Sequence, residues 1–489
     1  MNQPNKWKRI GIIALSSGMT QFLTLAFGLL LVRKLDKIDY AVYQQGMLII
    51  AMLIPFFAII SPISLSYFLS KAESKEEKKS YVYQTIFSFI VISLFGSIVL
   101  LIFKNQLGMM YGNDKLVKYI PTFSLILFFE SIYQYFPYYM ACIDKSKVLA
   151  TFTFVFSFMK TGVLFYAAFF DKTGEVLKVF LNIYAIVVSL KTISALLYTK
   201  AQYVGVNLSL NNKLFYKQLI FSIPIYTMGI INAFNFNLDK NLVSMIYDPS
   251  KYAVYVNGAY QIPFVGILSN SVISVMLPDI SSRFEEGNRI ILHNIVQEFR
   301  RMIKVQYVIL FSLFISLFIF SKGAVIFLFS NKYLESVPIF KIYLFMLIFQ
   351  SLNLGVLLTA ADRQKDIVRA GIFMLVSNII LLVMISKTIG FNYLAFAPVC
   401  STFLMNVGLL FSIKKIYLQN SIFNILPLKI IIASVFIGII VVLLFNYIYN
   451  LIMLGEVLKS IILGPLCFIT CLLLFRLFEI ITLRLPKSM

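Results

Sequence analysis

Tyr40-Ala41-Val42-Tyr43-Gln44-Gln45-Gly46 returns 212 residues later as Tyr252-Ala253-Val254-Tyr255-Val256-Asn257-Gly258, with five of seven positions identical. Both copies sit where one long apolar segment ends and the next begins. At the same offset Asp36 matches Asp248, and Ser70-Lys71 matches Ser282-Arg283. A second correspondence, at offset 218, links Asp144-Lys145-x-Lys147 to Asp362-Arg363-x-Lys365, after the fourth and the tenth apolar segments. Six segments separate equivalent positions. Six is even, so the two copies share one orientation, related by an axis along the membrane normal. A doubled block of membrane helices is the usual architecture for moving a solute between two rocking halves.

The composition agrees. The 489 residues are 60% hydrophobic and 13% charged, with a mean hydropathy of +0.87. A soluble domain of this length carries far more polar surface. The first apolar run, Ile10 to Val32, exceeds a signal-peptide core and reads as a retained helix. Cys142, Cys400, Cys467 and Cys471 all lie in apolar segments, so neither a disulfide framework nor a metal site is indicated. Cys467 and Cys471 are four apart and read as small packing residues. The single histidine, His293, lies in a polar loop. The net charge of +22 comes without a nucleic-acid motif and reads as inside-loop cations facing anionic membrane lipids. No phosphate-binding glycine loop, HExxH or nucleotide-binding domain is present, which points away from an enzyme and from any cofactor. Energy would come from H⁺, Na⁺, the membrane potential or the substrate's own gradient.

Fourteen segments have spanning length: roughly 10–32, 43–69, 81–103, 119–143, 148–170, 177–198, 219–247, 252–282, 305–329, 337–361, 366–389, 391–413, 425–449 and 457–483. The expected fold is an all-α polytopic membrane protein of about 14 transmembrane helices, two pseudo-symmetric six-helix lobes plus a C-terminal hairpin. The lobes are residues 1–198 and 219–413, joined by a polar cytoplasmic linker at 199–218, and the appended hairpin is 414–489. With the N-terminus inside, the inside loops and the segment ends beside them hold 25 Lys and Arg, and the outside loops and their segment ends 14. The bias places both termini in the cytoplasm. Pro55, Pro62, Pro137, Pro224, Pro263 and Pro278 mark kinks that must face protein or water. Ile291, Leu292, Ile295, Val296, Phe299 and Ile303 are spaced for an interfacial amphipathic helix, or for a plain helical connector.

Charges at membrane depth are costly and point to function. Glu130 and Lys160 lie near the middles of segments 4 and 5, where they either pair or face a lumen. Lys191 is in segment 6. Asp239 and Lys240 are in segment 7, about 100° apart on the helix. Arg33 ends segment 1, and Arg476 and Glu479 are spaced for a local pair. Snorkelling or helix-locking ion pairs are the structural alternative. Lysines in a lumen suit an anionic substrate such as a diphosphate. Gln21, Gln44, Gln45, Gln134, Asn232, Asn235, Asn237 and Asn257 suit sugar hydroxyls or interhelical hydrogen bonds. The dense run Tyr133, Tyr135, Phe136, Tyr138, Tyr139 suits helix packing better than sugar stacking.

Leu35-Asp36-x-x-Asp39-Tyr40-Ala41-Val42-Tyr43, its copy at Tyr252 to Gly258, Leu238-Asp239-Lys240, Leu277-Pro278 and fourteen segments together resemble the polysaccharide-exporter branch of the multidrug/oligosaccharidyl-lipid/polysaccharide exporter superfamily. The chain looks most like its O-antigen and capsular repeat-unit flippases. It departs from their usual pattern at Leu35-Asp36-Lys37, in place of Leu-Gly-Pro, and at Ala41-Val42-Tyr43, in place of Gly-x-Tyr. The resemblance implies flipping of undecaprenyl-diphosphate-linked oligosaccharide across a bacterial plasma membrane by alternating access. It further implies two lobes around a cationic cavity, and other polysaccharide assembly proteins as partners. On that reading Lys160, Lys191, Arg33 and Lys240 attract the diphosphate, and Asp239 or Glu130 binds the coupling ion. A lipid II flippase is the nearest rival. A cation-coupled drug antiporter would usually have twelve segments and an acidic cavity. A membrane polymerase would need a larger outside loop than Lys104 to Lys118 provides.

Overall fold

The computed structural model of the chain describes residues 3–477 apart from 171–173, 207–211, 263–264, 267, 270–275, 278–279, 282, 285–287 and 453, with side chains from Met19 onward. Those residues are helical, with no strand among them. Twelve helical stretches are long and apolar enough to cross a membrane, and they coincide with twelve of the fourteen expected segments. The first expected segment is α1, Gln3–Lys34. The eighth starts with α11, Pro249–Gly258, and runs on into residues partly outside the description. Pro263, Pro278, Asp279, Ser282 and Glu479 lie outside the described residues, and with them the expected Arg476–Glu479 pair. The chain is a multi-pass membrane protein.

The chain divides into two compact units, residues 1–253 and 254–489. In the first, α2 (Lys37–Phe57), α3 (Pro62–Lys71), α4 (Lys75–Ile102), α5 (Lys104–Met110), α6 (Asp114–Tyr133), α7 (Tyr135–Cys142), α8 (Ser146–Phe169) and α9 (Val176–Ala201) follow α1. α1 packs on α8, α8 on α9, α9 on α6, and α6 on both α2 and α4. Next comes α10, Asn212–Ile246, the seventh spanning segment, which packs along α2, α3 and α4. The helix packing therefore places residues 219–246 with the first unit, although the sequence pattern opens the second lobe at 219.

Pro55 ends α2 and Pro62 begins α3, so one span is broken at residues 58–61. Backbone groups freed inside a membrane need internal partners. α10 supplies them: Ser222 Oγ accepts from the Ser61 N–H at 3.1 Å, and the Tyr226 hydroxyl donates to the Phe56 carbonyl at 3.3 Å. Pro224, by contrast, sits inside an unbroken α10. Tyr135, Phe136 and Tyr139 are buried in an aromatic core with Phe68, Tyr81 and Phe89, so most of the tyrosine run is packing.

The sequence repeat is also a repeat of local structure. Asp36 and Asp248 each accept from the backbone N–H three residues on, Asp39 at 2.6 Å and Lys251 at 3.0 Å. Within each heptapeptide every residue is buried except the fifth. The closing glycines are close-approach sites. A Cβ on Gly46 would meet the Phe123 ring at 2.1 Å, and one on Gly258 would meet Ile339 at 2.5 Å. Asp144 and Asp362 both end a helical span in the left-handed region, φ 55° and 54°. In each case the next residue's N–H closes the helix, Lys145 to Met140 and Arg363 to Leu358.

The second unit holds α12 (Arg289–Ile319), α13 (Ser321–Phe329), α14 (Val337–Tyr343), α15 (Met346–Gln350), α16 (Gly355–Ala360), α17 (Gln364–Thr388), α18 (Phe396–Ile416), α19 (Leu428–Leu451) and α20 (Glu456–Leu477). α17 packs on α18, and α12 packs on α19 and α20. The residues read as an interfacial helix or a separate connector are the first turns of α12 itself. Leu292, Ile295, Val296, Phe299 and Ile303 are 5% exposed or less, so that apolar stripe faces protein and not lipid. Arg283 pairs with Glu298 at 2.5 Å beside it. Cys467 and Cys471 are buried, free thiols that fill the core.

Candidate functional site

Glu130 lies at the end of α6 and Lys191 in the middle of α9. The two helices pack together, and Thr192 Oγ1 donates to the Phe129 carbonyl at 2.9 Å, which sets their register. In that register Lys191 Nζ donates to both carboxylate oxygens of Glu130, each at 2.8 Å. The side chains are 16% and 19% exposed. Tyr133, one turn after Glu130, places its ring 4.1 Å from the same ammonium. Lys160, on α8, is held differently. Its Nζ lies 4.3 Å from the Phe27 ring of α1 and 4.8 Å from the Tyr184 ring of α9. No described carboxylate lies within ion-pair distance of it. Glu130 acts on Lys160 only through space, and Tyr184 lies against both.

Of the two alternatives open for Glu130 and Lys160, the pair does not form: Glu130 is taken by Lys191. The reason is helix order, since α9 stands between α6 and α8. Two ammonium groups and one carboxylate leave the cluster with one positive charge in excess, and geometry assigns that charge to Lys160. Cation–π contacts orient an ammonium without neutralising it. Its N–H donors thus remain available to an anion in a low-dielectric setting.

The other expected residues are elsewhere. Arg33 is exposed at the end of α1, where it donates to the Leu29 carbonyl at 3.5 Å. It lies about 9 Å beyond Phe27 along the helix. Lys240 is half-buried on α10, outside the cluster. Asp239 is 1% exposed on α10, within electrostatic range of Tyr252. Gln45 turns out to be a packing group: it donates to Ser244 Oγ at 2.9 Å and accepts from Asn113 at 2.7 Å. Phe27 and Tyr184 were not anticipated as site residues. For Tyr184 a signal existed, since it precedes Lys191 by two helical turns and shares its face.

A family model for a polysaccharide biosynthesis protein matches residues 30–338, more than half of the chain. The chain belongs to this polysaccharide biosynthesis family. Among solved structures, a lipid II flippase MurJ in an inward closed conformation has a TM-score of 0.73 at 18% identity, over 96% of this chain and 99% of that one. An inward-facing multidrug resistance MATE transporter has a TM-score of 0.65 at 11% identity, over 82% and 96%. A transporter of the same superfamily from Pyrococcus furiosus has 0.59 at 10% identity, over 84% and 95%. No curated protein matches. The chain shares its fold with these solved transporters.

Proposed function

We propose that this protein is a flippase that moves undecaprenyl-diphosphate-linked oligosaccharide from the inner to the outer leaflet of a bacterial plasma membrane, with both termini cytoplasmic. The observation that carries the reading is Lys160: an intramembrane ammonium held by two aromatic faces with no carboxylate partner among the described residues. A diphosphate is a ligand that such a group is suited to bind, because it brings the missing negative charge into a site where water cannot. The polysaccharide family match supports a sugar-bearing substrate. Likeness of fold to a lipid II flippase supports a lipid-linked one. Lys191 contributes less than the sequence suggested, because Glu130 already neutralises it. With Glu130 so engaged, the coupling role falls to Asp239, a buried carboxylate on α10.

The test is a deletion strain complemented with the wild type or with Lys160→Gln, followed by a leaflet assay of lipid-linked sugar. The expected result is accumulation in the cytoplasmic leaflet, relieved by wild type and not by the variant. Full export by Lys160→Gln would overturn the diphosphate role. Accumulation of lipid II in place of a repeat unit would move the reading to peptidoglycan precursor transport. Asp239→Asn should remove dependence on an ion gradient, and unchanged coupling would overturn that assignment.

A further inference from the structure

The corner between α18 and α19 in the second unit carries a site of a different kind. Two adjoining open surface depressions, of ≈ 610 and ≈ 310 Å³, share Leu418 and Gln419 in their walls. The larger is also lined by Phe411, Lys414 and Lys415, and the smaller by His293 at the start of α12. The corner is firmly built. Leu418 adopts φ 51°, a left-handed conformation that costs a leucine energy. The Gln419 N–H then closes the helix onto the Lys414 carbonyl at 2.9 Å. The Tyr417 hydroxyl ties the turn to the Leu357 carbonyl at 2.8 Å. Gln419 is buried, with its amide donated to the Tyr417 carbonyl at 2.9 Å.

Lys414 and Lys415 occupy the last turn of α18, where the carbonyl end of the helix favours cations. Neither has a described carboxylate within ion-pair distance. Around the same mouth Phe411, Leu418 and Ile290 are 58%, 52% and 69% exposed. Ammonium groups beside an open depression and bulky apolar side chains at its rim suit a ligand with a phosphate at one end and an acyl chain at the other. The cation bias of the loops assigns this face to the cytoplasm, where anionic lipids concentrate.

We propose that this pocket binds the phosphate headgroup of an anionic phospholipid of the cytoplasmic leaflet, with Lys414 and Lys415 as its cationic contacts. The site is separate from the Lys160 cluster and does not depend on the substrate assigned there. It is tested with the full-length protein in neutral phosphatidylcholine micelles titrated with phosphatidylglycerol, with bound lipid counted by native mass spectrometry. Wild type should retain one more phosphatidylglycerol than the double variant Lys414→Gln/Lys415→Gln, whose affinity at that site should fall roughly tenfold or more. Both side chains reach the surface, so the variant should keep the wild-type unfolding temperature, and a separate Leu418→Gly variant should relax the turn and weaken retention while both charges stay. Equal retention by wild type and the double variant would overturn the proposal. Displacement of the lipid by millimolar inorganic phosphate would also overturn it, since the pocket would then be a soluble-anion site.

Discussion

Replacing Glu130 with glutamine removes one charge from the cluster and leaves its shape nearly intact. Lys191 then keeps a neutral amide and the Tyr133 face but loses its counter-ion, which it now holds through two contacts of 2.8 Å. Breaking one side of a fully buried pair costs about 3–5 kcal/mol, because the remaining charge is stranded. Here the side chains are 16% and 19% exposed, and the Tyr133 ring retains about 1 kcal/mol. The net expected loss is about 2 kcal/mol. At roughly 2–4 °C per kcal/mol, the unfolding temperature should fall by about 4–8 °C. The assay is thermal loss of the helical circular-dichroism signal from purified full-length protein in detergent. The double variant Glu130→Gln/Lys191→Gln should regain most of the loss, since neither half of the pair is then left charged without the other. Wild-type stability in the single variant, or a double variant as unstable as the two singles added together, would refute the pairing argument.

Lys160 gives the opposite sign. Lys160→Met removes an ammonium that has no carboxylate partner among the described residues, so the protein should unfold at the wild-type temperature or above it while losing flipping. Loss of both would show that Lys160 holds the fold. Ser222→Ala should orphan the Ser61 N–H at the break between α2 and α3, costing about 1–2 kcal/mol, and amide exchange at Ser61 should quicken. Gly323→Ala places a Cβ 2.2 Å from the Glu456 carbonyl oxygen. Backbone there cannot yield, so α13 and α20 must part at a cost of about 1–3 kcal/mol. The same change at Gly162, where nothing lies within 4 Å, should leave the unfolding temperature nearly unchanged.

The sequence by itself determined the membrane class, the spans and the internal repeat. Those properties rest on local composition and on spacing along one chain: apolar runs of spanning length, and loop motifs such as Asp36 and Asp144 whose caps and turns form within a few residues. The buried pattern of Tyr40 to Gly46 recurs in Tyr252 to Gly258 for the same reason, since a helix face is fixed by its own period. Tertiary structure alone decided which charges meet. Glu130 and Lys191 are 61 residues apart, and only the packing of α6 on α9 selects Lys191 over Lys160. The first turns of α12 make the same point: their apolar spacing fits a lipid surface or a protein core, and the neighbours that bury Phe299 and Ile303 settle it. A sequence states how much charge lies at membrane depth. It takes the order of the helices to say which charge is cancelled and which is left for a ligand.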